Sequence, residues 1–128
     1  MNPVHQRDGG KCVVTGGPAE TVHHRVHGNR SDMRPANLLS VSGSGVTVGH
    51  GWIEAHPAAA ATRGWTVSKH DPRDLTDIPV WMENGPLGRG WYLLDNEYGF
   101  TGWPGSLSMQ ARALPDPPPL EDEETRHG

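Results

Sequence analysis

The apolar positions of this chain fall in short runs separated by turn-forming residues, with no long periodic stretch. Residues 11–14 (Lys-Cys-Val-Val) are β-prone, 15–18 (Thr-Gly-Gly-Pro) form a turn, and 20–26 make a second β-prone run, so the pattern predicts a hairpin. Residues 27–36 carry strong loop signals, and 37–41 are compact and apolar. A Gly/Ser-rich connection over 42–49 reads as flexible; its Ser-Gly-Ser-Gly run lacks the Gly-Lys-Ser/Thr ending of a phosphate-cradling loop. Residues 50–63 predict a helix, kinked or broken at Pro57 and stopped by Gly64. Beyond it the alternation at 65–69 and the apolar runs 78–82 and 91–94 predict strands, the last two paired across Asn84-Gly85 and Gly88-Arg89-Gly90.

Composition sharpens this outline. With 128 residues one domain is expected, yet Leu, Ile, Val and Phe make only 22 of them. Five Trp compensate, since each can bury roughly 150–250 Å²; they read as core anchors, giving a small Trp-anchored core with many turns. The single Cys excludes an intramolecular disulfide framework and reads as a small hydrophobe. There is no apolar run long enough for a membrane span and no signal-like N-terminus, so no membrane partner and a cytoplasmic location are expected.

The net charge of −4 is equalled by residues 115–128 alone, where a Pro-rich start and an acidic run predict a disordered tail. Residues 5–37 hold Arg7, Lys11, Arg25, Arg30 and Arg34 against Asp8, Glu20 and Asp32, a mildly basic stretch compatible with a phosphate partner. Five of the eight histidines lie between positions 23 and 56. Neighbours in a strand point to opposite faces, so one of His23 and His24 can ligate a metal while the other faces substrate. His50 opens the expected helix, and Glu54 lies on its face one turn later. Such a nitrogen and oxygen set suits Mg²⁺, Mn²⁺, Zn²⁺ or Ni²⁺ without choosing among them. His5, His70 and His127 read as ordinary surface or core residues and His27 as a solvated loop residue.

The order hairpin, His23-His24, loop, Asn37-Leu38-Leu39, Gly-rich segment and His50 opening a helix resembles the motif of the HNH endonucleases. Val22-His23-His24-Arg25, Arg34-Pro35-Ala36-Asn37-Leu38-Leu39 and the segment from Gly49 to His56 are most similar to the small HNH proteins of actinobacteria and their tailed phages. The likeness covers residues 11–99. It implies an α+β fold, a ββα-metal (His-Me finger) core at 10–64 with a small C-terminal β extension at 65–114, an N-terminal arm at 1–9 and the tail at 115–128. It implies an endonuclease that hydrolyses DNA phosphodiester bonds with a divalent metal ion, with phage packaging proteins as further partners and the host cytoplasm as its location if phage-encoded.

By the same resemblance His24 is the general base and His23 and His50 are metal ligands. Glu54 stands where the nuclease colicins place another helix ligand, and Asn37 ties the loop so that the base is held in place. Phosphodiester hydrolysis also needs cations on the flanking phosphates, a role open to Arg25, Arg30 and Arg34. His56 is expected as a phosphate contact or helix-surface residue. Relatives with a structural zinc carry cysteines where this chain has Cys12, Thr15, Ser42 and Gly49, so no structural zinc is expected. That loss motivates one rival reading, a catalytically decayed nucleic-acid-binding module; a second rival is an interaction protein docking through its Trp-rich part and acidic tail, with the histidines holding only a structural metal.

Overall fold

A computed structural model describes residues 2–26, 31–43, 49–103 and 116–117, with the side chains at 49, 50 and 103 outside the description. The Gly/Ser connection at 44–48 and the Pro/acidic tail, apart from Asp116 and Pro117, lie outside it too.

The chain is a small α+β protein with two antiparallel sheets and few helices. It opens with α1 (Pro3–Arg7), started by the Asn2 side chain accepting from Val4 N at 2.7 Å and by proline at the first turn. This helix is no arm, as the sequence suggested. Val4 is buried, and so is an Arg7–Asp8 ion pair at 2.7 Å. Arg7 also donates to the carbonyls of Pro35 (2.8 Å) and Leu38 (2.6 Å), while Asp8 accepts from Ser40 N at 3.0 Å. Neither charge is left unbalanced, and every donor edge is used to tie residues 3–8 onto the following strand.

That strand is β2 (Leu38–Val41), and its partner is β1 (Thr21–His24), in antiparallel register with His23 opposite Leu39 and His24 opposite Leu38. The sequence pattern paired 20–26 with 11–14 instead. Cys12, Val13 and Val14 are all buried, which a strand with one solvent face does not allow. They form a turn that bridges the two sheets: Val13 N donates to Ser40 O at 2.9 Å, and Val13 O accepts from Glu83 N at 3.0 Å. Gly16, at φ 81°, lets the chain reverse there.

The expected helix is present in two pieces, α2 (Gly49–Ala55) and α3 (Pro57–Thr62). Proline has no N–H to continue α2, and His56 before it adopts φ −132°, ψ 63°. At the far end Trp65 N bonds Ala60 O (3.0 Å) and Gly64 N bonds Ala61 O (3.1 Å), the paired bonds of a glycine-terminated helix. A side chain at 64 would strike the Pro79 carbonyl.

The second sheet has the order β3 (Val80–Gly85), β4 (Gly88–Leu94), β5 (Phe100–Trp103), all antiparallel. The third strand has no clear alternation in sequence and was not expected. Residues 65–69 are not a sheet strand; they make one parallel bridge, Val26 to Val67. Trp65 is fully buried, donates to Trp81 O at 2.7 Å and stands edge-on to Trp52 at 5.6 Å, while Trp81 meets Trp91 at 5.3 Å. Both halves share one core, so the C-terminal part is continuous with the N-terminal part. Among the described residues no helix is long and apolar enough to cross a membrane.

At the centre lies Arg25, with 0% of its surface exposed. It donates to the carbonyls of Gly64 (2.8 Å), Ala36 (2.9 Å), Leu75 (3.2 Å) and Ile78 (2.9 Å). Burial, with the charges of Arg7 and Arg73, pulls its pKa down to about 9, so it remains a cation at neutral pH. An ammonium on a flexible stem cannot reach four carbonyls set around a planar fork. Arg25→Lys is therefore expected to lower stability by about 2–4 kcal/mol, read as an earlier urea midpoint by Trp fluorescence; an unchanged midpoint would deny the guanidinium this role.

Candidate functional site

His23 lies in β1, on the face opposite to His24, and is buried. Its Nε2 is 2.8 Å from the Trp65 carbonyl. A carbonyl oxygen only accepts, so Nε2 carries the proton and, in the neutral ring, Nδ1 carries the lone pair. His23 lines a cavity of about 340 Å³ together with Ile53, Glu54, Pro57 and Thr66. The cavity thus joins β1, α2, the start of α3 and the segment after it. Glu54, on α2, lines the cavity and is exposed to solvent. His50 opens α2 one turn before Glu54, and its side chain lies outside the described residues.

An imidazole and a carboxylic acid residue lining one solvent-open cavity are residue types that suit a divalent cation. The bond from Nε2 to a backbone carbonyl is of the kind that orients metal-bound histidines. Among the described residues no three His, Cys, Asp or Glu side chains gather as a ligand set, so His23 and Glu54 are the donor pair seen.

His24 does not line that cavity. Its ring is half-buried, and Nε2 lies beneath the surface with no hydrogen-bond partner among the described residues. Buried polar atoms are rarely left so, and such atoms cluster where chemistry or water is to be accommodated. Asn37 is fully buried between the end of β1 and the loop that follows. Its Oδ1 accepts from Val26 N and its Nδ2 donates to Asp32 O, both at 2.9 Å. With Arg25 N donating to Asn37 O at 2.8 Å, these bonds fix the backbone just past His24.

The arginines divide. Arg25, expected on a phosphate, is corrected to an internal structural residue, since a fully buried side chain with four carbonyl partners cannot meet DNA. Arg30 lies outside the described residues. Arg34 is half-exposed and paired with Asp32 at 2.7 Å. His56 belongs to the junction of α2 and α3, where its ring stacks on Trp52 at 4.4 Å and its Nδ1 lies 3.0 Å from Trp52 O. It lines neither described cavity. Cys12 is buried in the core, with Sγ accepting from Thr15 N at 3.4 Å.

A second cavity, also about 340 Å³, includes Val26, Val67, Arg34, Lys69 and Arg73 in its lining. Sequence reasoning missed Lys69 and Arg73, although the Asp-x-Arg spacing of Asp32/Arg34 recurs at Asp71/Arg73 and is a readable signal. The hydrogen bond from Arg34 holds the Asp32 carboxyl below its ordinary value, with a smaller contribution from nearby His24. Arg73 pulls Asp71 further down, to about 2.

No protein-family model, characterised protein or solved structure matches the chain.

Two measurements check these local arrangements. Asn37→Ala strands the buried Val26 N–H and is expected to cost about 1–3 kcal/mol in chemical denaturation. A depressed acid pKa means that the Asp71–Arg73 pair is intact above the ordinary carboxyl value of 3.8 and is lost as pH falls through about 2. Carboxyl NMR should give Asp71 that low midpoint in the native chain, returning to the ordinary range in Arg73→Gln.

Proposed function

We propose that the chain is a divalent-metal-dependent endonuclease hydrolysing DNA phosphodiester bonds, with β1, β2 and α2 as its ββα-metal core. The observation that carries this reading is the meeting of His23 and Glu54, from segments distant in sequence, in one solvent-open cavity with the His23 tautomer set by the Trp65 carbonyl. His23 and Glu54, with His50 one turn before in the chain, are the residues that would hold the cation. When bound, it neutralises charge on the phosphate and on the departing 3′ oxygen.

His24 accepts the proton of the attacking water, a task suited to imidazole because it exchanges protons near neutral pH. The water oxygen bonds to phosphorus, the bond to the 3′ oxygen breaks, and a 5′-phosphate and a 3′-hydroxyl result. Asn37 holds the backbone beside His24, and Arg25 holds both histidines in register by fixing the strand end. The His24 Nε2 has no hydrogen-bond partner among the described residues, which leaves that nitrogen uncommitted to a structural bond and supports the role.

A second reading of the roles has its own observation. The bond to Trp65 O also suits a base presenting Nδ1 to water, which would make His23 the proton acceptor. Plasmid cleavage with Mg²⁺, Mn²⁺, Ni²⁺, Zn²⁺ or EDTA, beside Mn²⁺ binding by calorimetry, separates the two. Metal-dependent cutting is expected. His24→Ala is expected to lose cleavage by on the order of 10²-fold or more while keeping Mn²⁺ affinity; His23→Ala and Glu54→Ala are expected to weaken Mn²⁺ binding. Full activity in His24→Ala with loss in His23→Ala would exchange the roles. No cutting with any metal by a folded protein would reject the nuclease.

A further inference from the structure

We propose that the cleft lined by Arg34, Lys69 and Arg73 is a second grip on the nucleic-acid backbone, holding phosphates away from the bond that is cut. This rests on the nuclease reading above and adds two residues from beyond the helices to the substrate-binding surface.

The construction of the cleft supports it. Asp32 accepts from Arg34 N (3.2 Å), Nε (2.9 Å) and Nη2 (2.7 Å). Asp71 accepts from Arg73 N (2.9 Å), Nε (3.1 Å) and Nη2 (2.8 Å) in the same way. Each carboxylate thus takes the side edge of its guanidinium and leaves the end fork, Nη1 with the second Nη2 proton, for another oxyanion. That fork matches the two non-bridging oxygens of a phosphodiester.

Both arginine side chains are about half-exposed, at 51% and 57%. The third carboxylate, Asp74, is occupied with Thr76 N and Oγ1 at 2.9 and 2.8 Å. Lys69 makes no hydrogen bond or ion pair among the described residues. The acids of the cleft are therefore engaged locally, with Asp74 also in electrostatic reach of Arg34, and its half-exposed guanidiniums and Lys69 keep donors without a partner among the described residues.

Position links the cleft to the site. Thr66 lines the His23–Glu54 cavity and the next residue, Val67, lines the cleft, so the two border one extended segment. Val26, two residues past His24, also lines the cleft, and Asp32 lies within electrostatic reach of His24. A strand whose phosphates sit on Arg34 and Arg73 would pass beside the proposed proton acceptor.

The test is binding of a short labelled DNA duplex in EDTA, across a salt series, to the full chain and to Lys69→Gln, Arg73→Gln, the double variant and Arg89→Gln. Arg89 is an exposed arginine paired with Glu83 outside the cleft. The double variant is expected to bind on the order of tenfold or more weakly, its salt slope falling by about 1 for each side chain neutralised. Arg89→Gln should bind as the native chain does. Because Lys69 has no partner to lose, Lys69→Gln tests the cleft even if Arg73→Gln disturbs the fold. Unchanged affinity and slope in Lys69→Gln and the double variant would overturn the proposal. So would polyglutamate binding that depends on Lys69 and Arg73 while DNA binding does not. Cleft-dependent DNA binding without cutting under any metal would uphold the grip and reject the nuclease; cutting with cleft-independent binding would do the reverse.

Discussion

A buried guanidinium holds this molecule together. Arg25 reaches carbonyls that lie 11, 39, 50 and 53 residues away, after α3, before β2, and on either side of the turn leading to β3. Those carbonyls belong to irregular segments that could not satisfy one another, and a buried carbonyl without a donor is costly. The cation in turn would be costly to bury without acceptors, and backbone dipoles supply them. Its own backbone is held on both sides, by Asn37 O from Arg25 N and by Val67 N to Arg25 O at 2.8 Å each. One residue therefore joins the hairpin, the helical pair and the second sheet.

The candidate site inherits its geometry from that anchor. His23 and His24 immediately precede Arg25, so neither strand face can rotate independently of it. His23 is turned toward α2 and Trp65; His24 takes the other face, with Asn37 and Asp32 beyond it. Trp65 serves twice, filling the core with its indole and orienting His23 with its carbonyl. Stability and the geometry of the candidate site are thus coupled along one short segment, and the hydrophobically thin composition is offset by polar bonds and edge-on tryptophan pairs in place of aliphatic bulk.

The two cavities give that segment two faces with different characters. The one at His23 and Glu54 is lined by an imidazole and a carboxylic acid, the residue types the proposed cation would use. The one at Arg34, Lys69 and Arg73 offers oriented N–H groups, donors for an anion. A phosphodiester bound to a metal needs both, and a chain with no net charge over residues 1–114 can supply them only by such local segregation.

The sequence by itself determined the features whose cause is local. Pro57 breaks the helix and Gly64 ends it, because one lacks an N–H and the other tolerates φ 76°. The apolar runs at 78–82 and 91–94 pair as β3 and β4, and the buried tryptophans anchor the core. His23 and Glu54 were both singled out in sequence through the family resemblance, and the fold brings them to one cavity. Only the tertiary structure decided the partner of β1, the packing of α1 and the third strand of the second sheet, since each depends on surfaces supplied by residues far along the chain. Arg25 is the sharpest case: in sequence it is one of several basic residues near the histidines, and only folding brings four carbonyls around it and removes it from any phosphate. Lys69 and Arg73 went the other way: the recurring Asp-x-Arg spacing is readable in sequence but the cleft is not, because its opposite wall is built from residues some forty positions earlier, about the separation of Arg34 from Arg73.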